Sequence, residues 1–259
     1  MYIMTSRPRK KDTSWEAVAH WYDSHLHQND TYQSRLILPQ LTRLMPLGQG
    51  VSLLDLACGH GFFSADFVRR GARVVGVDSS ATLIARARAT VPVATFHCAS
   101  VESLPFLSDA SFDNVACILG LQNIELASAA MKEAGRLTRS GGSFFIVLNH
   151  PAFRIPGRSS WGWDDAARMQ YRRIDGYLHE SKVNIQMHPG DAPDVVTVSF
   201  HRPLQYYAKA LQSAGFAITR LEEWISDKQS QPGPRAAAEN TARGEVPLFL
   251  FLQAVRLPL

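Results

Sequence analysis

The sequence predicts an α/β fold in which a doubly wound, largely parallel sheet is covered by helices on both faces. Strand-like apolar runs alternate with helical patterns from residue 51 onward, the order expected of such a sheet. A glycine-rich loop follows the first apolar run, in "LLDLACGHGFF". The alternation is interrupted once, over residues 151–203. The chain of 259 residues with 46% apolar content can bury a core without disulfides or metal.

Before residue 151, the sequence predicts five strands and three helices. The strands are "VSLLDLA", "RVVGVD", "VATFHCA", "FDNVACILG" and "GSFFIVLNH". The helices are "GFFSADFVRRG", "SATLIARARAT", with Ser79 or Ser80 as its N-cap, and "ELASAAMKEAGRL". The pattern resumes later with the helix "PLQYYAKALQSAGF", the strand "AITRLEEW", a short helix in "PGPRAAAENTAR" and the last strand "PLFLFLQAV".

The chain is expected to form one domain, residues 13–259, behind a disordered basic tail at residues 1–12. Residues 13–47 have helical spacing and form an N-terminal cap. Residues 151–203 are an inserted lid after the fifth strand, and the alternating stretch "VVTVSFHR" indicates that it contains a β-hairpin.

Charge and cysteine content limit the partners. The net charge of +4 comes from the tail, because without its four cations the remaining 23 basic residues balance the 23 acidic ones. This balance argues against nucleic acid as a partner. No apolar run has the roughly 20 residues needed to span a bilayer. Three unpaired cysteines suit a reducing compartment, so the cytoplasm is expected, with monomer and homodimer both open.

The glycine loop allows three interpretations. A P-loop needs a Gly-Lys-Ser/Thr ending, which "GHGFF" lacks. A dinucleotide fingerprint needs a third glycine where Ser64 stands, and a pyrophosphate would be repelled by Asp55. S-adenosylmethionine, which is cationic and has no phosphate, fits Asp55. Asp78 ends the second strand, 17 residues after Gly61, where an acid accepts from ribose hydroxyls; capping of the next helix is its alternative role.

Together, "LLDLACGHGFFS", "VVGVD", "VESLPF", "SFDNVACILGLQNI" and "RLTRSGG" resemble the class I S-adenosylmethionine-dependent methyltransferases. The resemblance covers about residues 50–150 and is specific for the superfamily, though not for a substrate. It implies a Rossmann-like sheet of seven strands with one antiparallel strand, taken here as "PLFLFLQAV". It also implies S-adenosyl-L-methionine as the cofactor.

The resemblance assigns cofactor contacts to residues of the matching motifs. Asp55, Ala57, Gly59 and Gly61 would surround the methionine part, Asp78 and Ser79 the ribose, and Ser100 and Val101 the adenine, while Leu119 would close the pocket and Tyr22 of the cap would cover it. Ser100 departs from the pattern, because many members of the family have aspartate there. A serine hydroxyl accepts more weakly from the adenine amino group.

Methyl transfer is an in-line displacement, in which an enzyme aligns the acceptor and excludes water. No metal is required. His150, after the fifth strand, is the candidate base, and hydrogen bonding within the Pro151 turn is its alternative role. The candidate acceptor contacts are Gln122, Arg154, Trp161, Trp163, Tyr171, Arg172 and Arg235. Packing and solvation are their alternative roles, but as a group they indicate a small, aromatic or anionic acceptor.

Two other functions remain open at this point. The basic tail would suit a methyltransferase of tRNA or another macromolecule, although no RNA-binding domain is attached. A catalytically silent cofactor-binding regulator would keep the same glycine loop and Asp78. In the leading interpretation the lid serves the acceptor, and the glycine loop with Asp78 serves the cofactor.

Overall fold

The computed structural model describes residues 31–186 and 196–258. The predictions for the tail, for Tyr22 and for the cap before residue 31 lie outside these residues. The described chain begins with a π-helical segment, Gln33–Ile37, which runs directly into helix α1 (Leu38–Leu44). No helix among the described residues has the length and apolar character needed to cross a bilayer.

The helices and strands follow the predicted order. The strands of the main sheet are β1 (Ser52–Leu56), β2 (Arg73–Asp78), β3 (Thr95–Cys98), β4 (Phe112–Ile118), β5 (Thr138–Asn149), β10 (Phe216–Trp224) and β11 (Phe249–Arg256). The helices between them are α2 (Phe62–Arg69), α3 (Ala81–Thr90), α4 (Ala127–Leu137), α5 (Leu204–Ser213) and α6 (Ala236–Glu245). A 3₁₀ turn, Leu121–Asn123, follows β4.

The seven strands lie in the order β10-β11-β5-β4-β1-β2-β3. Strands β1 to β5 pair in parallel, and β11 is antiparallel to both β5 and β10. The prediction of a seven-stranded sheet whose last strand is the antiparallel one is therefore confirmed. The carboxyl ends of β1, β2, β4 and β5 meet along one edge, where doubly wound sheets bind ligands.

Both faces of the sheet are buried, as the near-continuous apolar strands require. Successive residues of β5 show this directly: Phe144 and Ile146 belong to the core beneath α4 and α5, and Phe145 and Val147 to the core beneath α1 and α2. A single inserted or deleted residue in β5 would exchange the two sets. The site edge therefore rests on a rigid, two-sided core.

The insertion after β5 forms two β-hairpins. Strand β6 (Ser159–Asp164) pairs with β7 (Met169–Ile174), and β8 (Ser181–Gln186) pairs with β9 (Val196–His201). The sequence predicted a hairpin from the alternating stretch that is now β9. The β6–β7 hairpin was missed because the residues of both strands are only half-buried or exposed, without a continuous apolar face.

Helix packing predicts that replacing two glycines by alanine changes the stability of the protein in opposite directions. A Cβ added at Gly135 in α4 would lie 2.2 Å from the carbonyl oxygen of Ala214, whereas one at Gly244 in α6 would meet nothing within 4 Å. We expect Gly135→Ala to lower the free energy of unfolding by about 1–3 kcal/mol. Gly244→Ala should raise it by up to about 1 kcal/mol, because alanine loses less backbone entropy. Urea unfolding of both variants measures the two signs, and a stabilising Gly135→Ala would contradict the close contact.

Candidate cofactor and acceptor site

The first cavity lies at the carboxyl ends of β1, β2 and β4. Six of the residues predicted to contact the cofactor line it: Asp55, Ala57, Gly59, Asp78, Ser79 and Leu119. Further walls come from Phe62, Phe63, Leu83, Ile118 and Ile124. The loops after three different strands therefore form one cavity.

The loops after β1 and β4 have left-handed backbone at the cavity wall. Ala57 and Leu119, the first residues beyond their strands in the loop after β1 and the loop after β4, both have φ of 57°, which non-glycine residues rarely adopt. Gly59 and Gly61 have φ of 57° and 87°. A Cβ at Gly61 would approach the Cβ of Ala87 to 3.3 Å. Strained residues of this kind concentrate at ligand sites, and here they flank one cavity.

Asp78 joins the loop after β1 to the loop after β2. Its Oδ2 accepts a hydrogen bond from the backbone N–H of Gly59 at 3.0 Å, and its Oδ1 accepts from the N–H of Ser80 at 2.9 Å. Ser80 is the N-cap of α3, because its hydroxyl accepts from the N–H of Leu83. Of the two serines predicted as caps, Ser80 has the role and Ser79 lines the cavity. A carboxylate has capacity for further donors, so ribose binding by Asp78 stays compatible with these bonds.

Asp55 is buried at the floor of the cavity, where its Oδ2 accepts from the hydroxyl of Ser64 at 2.6 Å. Burial outweighs the Ser64 hydrogen bond and, together with the nearby charge of Asp78, raises the pKa of Asp55 to about 7. No lysine or arginine of the described chain lines this cavity. Two carboxylates without a cation between them favour a positively charged ligand.

Three further predicted cofactor contacts within the described residues lie outside the cavity wall. The hydroxyl of Ser100 donates to Glu102 at 3.2 Å, Val101 packs in the core beneath α4 and α5, and Gly61 forms the turn into α2. The adenine assignment to Ser100 and Val101 stays a prediction.

Two polar side chains after β4 hold the strained Leu119. The Nδ2 of Asn123 and the Nε2 of Gln122 both donate to the carbonyl of Leu119, at 3.2 Å and 2.8 Å. The Oε1 of Gln122 is buried and has no hydrogen-bond partner among the described residues. Gln122 does not itself line the first cavity, whereas Leu119 and Asn123 do, so its amide acts there through the backbone of Leu119.

His150 is buried, with both ring nitrogens in hydrogen bonds. Its Nδ1 accepts from the backbone N–H of Ala152 at 3.2 Å, so the proton is on Nε2, which donates to Glu223 at 2.7 Å. Burial lowers the pKa of His150, and the Glu223 contact partly opposes this. These bonds match the predicted alternative role in the Pro151 turn. The base role stays a prediction that would require the ring to leave its present contacts.

A second cavity lies beneath the β6–β7 hairpin, beyond the carboxyl end of β5. Three predicted acceptor residues line it: Arg154, Trp161 and Arg172. The other predicted residues lie elsewhere. Arg235 stacks on Trp163 at 4.5 Å from the ring centroid, and Tyr171 covers Gly162 on the other face of the hairpin. The structure thus brings one part of the predicted acceptor set together and separates the rest.

Arg202, which the sequence analysis missed, joins the β8–β9 hairpin to the first cavity. It is 4% exposed, and its guanidinium donates to the carbonyls of Leu121, Ile124 and Glu125 at 3.4, 3.0 and 2.7 Å. It also packs against the rings of Phe200 and Tyr206. The carbonyls belong to the segment that supplies cavity walls after β4. In the sequence, an arginine before a proline carries no signal of burial.

The comparisons with known proteins agree with this architecture. Residues 54–146 match a family model described as a methyltransferase domain. A demethylmenaquinone methyltransferase of Beutenbergia cavernae is 38% identical over 98 residues, which is 38% of this chain and 40% of that protein. A ubiquinone biosynthesis O-methyltransferase of Paracidovorax citrulli is 31% identical over 144 residues, 53% of this chain and 60% of that protein. The chain therefore matches only about half the length of these curated relatives.

Solved structures match over more of the chain. The crystal structure of an S-adenosylmethionine-dependent methyltransferase from Mesorhizobium loti superimposes with a TM-score of 0.68 and 29% identity, covering 88% of this chain and 99% of that one. The fold is that of the class I S-adenosylmethionine-dependent methyltransferases, and residues 54–146 match their methyltransferase domain. The cofactor of this class is S-adenosyl-L-methionine, as the sequence predicted.

Because the pKa of Asp55 is raised, removing its charge is predicted to increase the stability of the protein, and the increase is predicted to depend on pH. The folded pKa lies above the unfolded value, so wild-type stability falls as pH rises from about 4 to about 7. The side chain of Asp55→Asn cannot ionise. In the cofactor-free protein we therefore expect its free energy of unfolding to exceed that of wild type by about 2–4 kcal/mol at pH 8 and to differ little from it at pH 4. Urea unfolding between these pH values measures the slope.

Asp113→Asn is the matched control for Asp55→Asn. Hydrogen bonds from Ser52 and Arg139 lower the pKa of Asp113, so removing its charge should destabilise the protein at neutral pH, the opposite sign. Parallel pH profiles of wild type and Asp55→Asn would show that the buried carboxyl has no raised pKa.

The contacts of Arg202 predict that a substitution at this residue of the insertion weakens cofactor binding. Arg202→Lys keeps the charge but cannot reach three carbonyls at once, so we expect about 5- to 30-fold weaker binding of S-adenosylmethionine. Lys182→Met is the control, because Lys182 contacts the same segment only through the exposed Glu125, at 3.3 Å. Calorimetry measures both. Unchanged affinity in Arg202→Lys would mean that this segment holds its shape without the guanidinium.

Proposed function

We propose that this chain transfers a methyl group from S-adenosylmethionine to a small, aromatic or anionic molecule by in-line displacement. The observation that carries the proposal is the first cavity, in which the buried carboxyl groups of Asp55 and Asp78 meet the glycine loop and no lysine or arginine of the described residues. A cationic ligand without phosphate fits that combination, and a dinucleotide does not.

The residues present fit the cofactor. Asp78 would accept from the ribose hydroxyls, and Asp55 would face the cationic methionine part across Gly59. The open backbone at Gly59, where a Cβ would meet nothing within 4 Å, leaves room for ligand atoms. When bound, the cofactor supplies an electrophilic methyl group on a sulfonium.

The chain's own contribution is alignment and the exclusion of water. Strand β5 ends next to β4, since the N–H of Leu119 donates to the carbonyl of Val147 at 2.8 Å. The β6–β7 hairpin leaves from that end, so an acceptor held beneath it would lie beside the first cavity. We propose His150 as the group that fixes the turn at residues 151–153 there. A base would be required only for an acceptor that arrives protonated.

The acceptor is proposed to be small because the curated relatives carry names that refer to demethylmenaquinone and to ubiquinone biosynthesis. Its aromatic or otherwise flat character is supported by Phe153 and Trp161 in the second cavity. Aromatic side chains offer large flat surfaces to such a ligand.

Cofactor binding is tested at Asp78. We expect Asp78→Ala to weaken binding of S-adenosylmethionine by about 2–4 kcal/mol, because two hydrogen bonds to a charged acceptor are lost along with the support of Gly59. Asp109→Ala, on the exposed surface, should change the affinity little. Calorimetry on folded samples measures both. Equal affinity in Asp78→Ala and wild type, or binding of NAD instead, would contradict the assignment.

Methyl transfer is tested with methyl-labelled cofactor and a fractionated metabolite extract. The proposal predicts label in a low-molecular-weight fraction. Label only in tRNA or protein would favour the macromolecular alternative. Tight cofactor binding with no labelled fraction would favour the silent regulator.

A further inference from the structure

We propose that the second cavity binds the carboxylate or phosphate of an aromatic acceptor through Arg154 and Arg172. This inference deepens the proposed function, and the identification of the bound anion as the methyl acceptor rests on that function. The anion site itself stands on the contacts of the hairpin.

Arg172 is held in place with donors to spare. It lies opposite Trp161 in the β6–β7 pairing, and its guanidinium covers the Trp161 ring at 5.1 Å from the centroid. Its Nε donates to the carbonyl of Phe153 at 2.9 Å and its Nη2 to the hydroxyl of Ser159 at 2.8 Å. A guanidinium has five N–H donors, so three remain for a ligand. The side chain is thus fixed before any ligand binds.

Arg154 lines the same cavity without an internal partner. Across residues 31–186 and 196–258 its guanidinium has no hydrogen bond or ion pair, and no acidic side chain lines the cavity. Arg173, the neighbour of Arg172 on the other face of β7, instead pairs with Asp175 at 2.8 Å. Burial and the nearby charge of Arg154 lower the pKa of Arg172. Two like charges in a shared, half-enclosed space repel each other, and an anion between them relieves the repulsion.

The remaining walls define the rest of the ligand. Phe153, Trp161 and the segment Val246, Pro247 and Leu248 offer only ring, aliphatic and backbone surface. A planar oxyanion suits the paired guanidiniums, and a flat apolar body suits these walls. The ligand class is therefore an aromatic or similarly flat molecule that carries a carboxylate or a phosphate.

The cavity also has the position that an acceptor site needs. Its walls follow β5 and precede β11, and these two segments are joined where the N–H of His150 donates to the carbonyl of Leu248 at 2.8 Å. The first cavity has its wall at Leu119, at the end of the adjacent strand β4. Both cavities therefore lie at the same edge of the sheet, on neighbouring strands.

The test is calorimetric titration of the full chain, with and without S-adenosylhomocysteine, using 2-naphthoate, 2-naphthyl phosphate and the neutral 2-naphthamide. We expect saturable, salt-sensitive binding of one or both anions and at least about tenfold weaker binding of the amide. Arg154→Gln and Arg172→Lys should each weaken anion binding about tenfold or more, whereas Arg173→Gln should change it by less than about twofold. Arg154→Gln removes no internal contact, so its fold is expected to be intact.

Three results would overturn the site: no saturable anion binding up to about 10 mM, equal binding of amide and carboxylate, or unchanged anion binding in Arg154→Gln. The two anions separate a carboxylate site from a phosphate site. Anion binding without methyl transfer to any extract fraction supports the anion site and contradicts the proposed function. Methyl transfer without anion binding contradicts the site alone.

Discussion

The pair of hydrogen bonds to the Asp78 carboxylate is the constraint on which the rest of the site depends. The N–H groups of Gly59 and Ser80 come from loops after two different strands and converge on one side chain. The carbonyl of Asp78 also accepts from the N–H of Ala99, beyond β3. Three consecutive strand ends are therefore fixed relative to one another by one residue. A site held in this way loses little conformational entropy when a ligand binds.

The strained backbone at Ala57 and Leu119 requires support from elsewhere in the fold. Leu119 is held by the amides of Gln122 and Asn123, and the segment after it is held by Arg202. Arg202 belongs to the insertion, so the expected division of labour needs refinement. The β6–β7 hairpin stands over the second cavity, and the β8–β9 hairpin braces the wall of the first one.

Features encoded in contiguous residues were predictable. The glycine loop, Asp55 and Asp78 were found because strand ends of a parallel sheet meet at one edge, which locates side chains without knowing their contacts. Long-range pairing was not predictable in this way. Three arginines show this. Arg154 has no partner for its guanidinium among the described residues, Arg202 is buried and donates to backbone carbonyls, and Arg173 forms an ion pair on the surface. His150 likewise satisfies both ring nitrogens through contacts that include Glu223, 73 residues away.

The two cavities have opposite charge although the chain outside its tail is nearly neutral. Carboxyl groups line the first cavity, and two guanidiniums line the second. In the proposed function this arrangement keeps a cationic cofactor and an anionic acceptor in their own cavities while their charges attract across the sheet edge. The attraction is stronger in a site from which water is excluded. In the proposed function, Asp55 and Asp78 would also favour a sulfonium over the neutral thioether that remains after transfer. Charges that bound the cofactor in this way would bind its product less well, which would favour release once the methyl group has left.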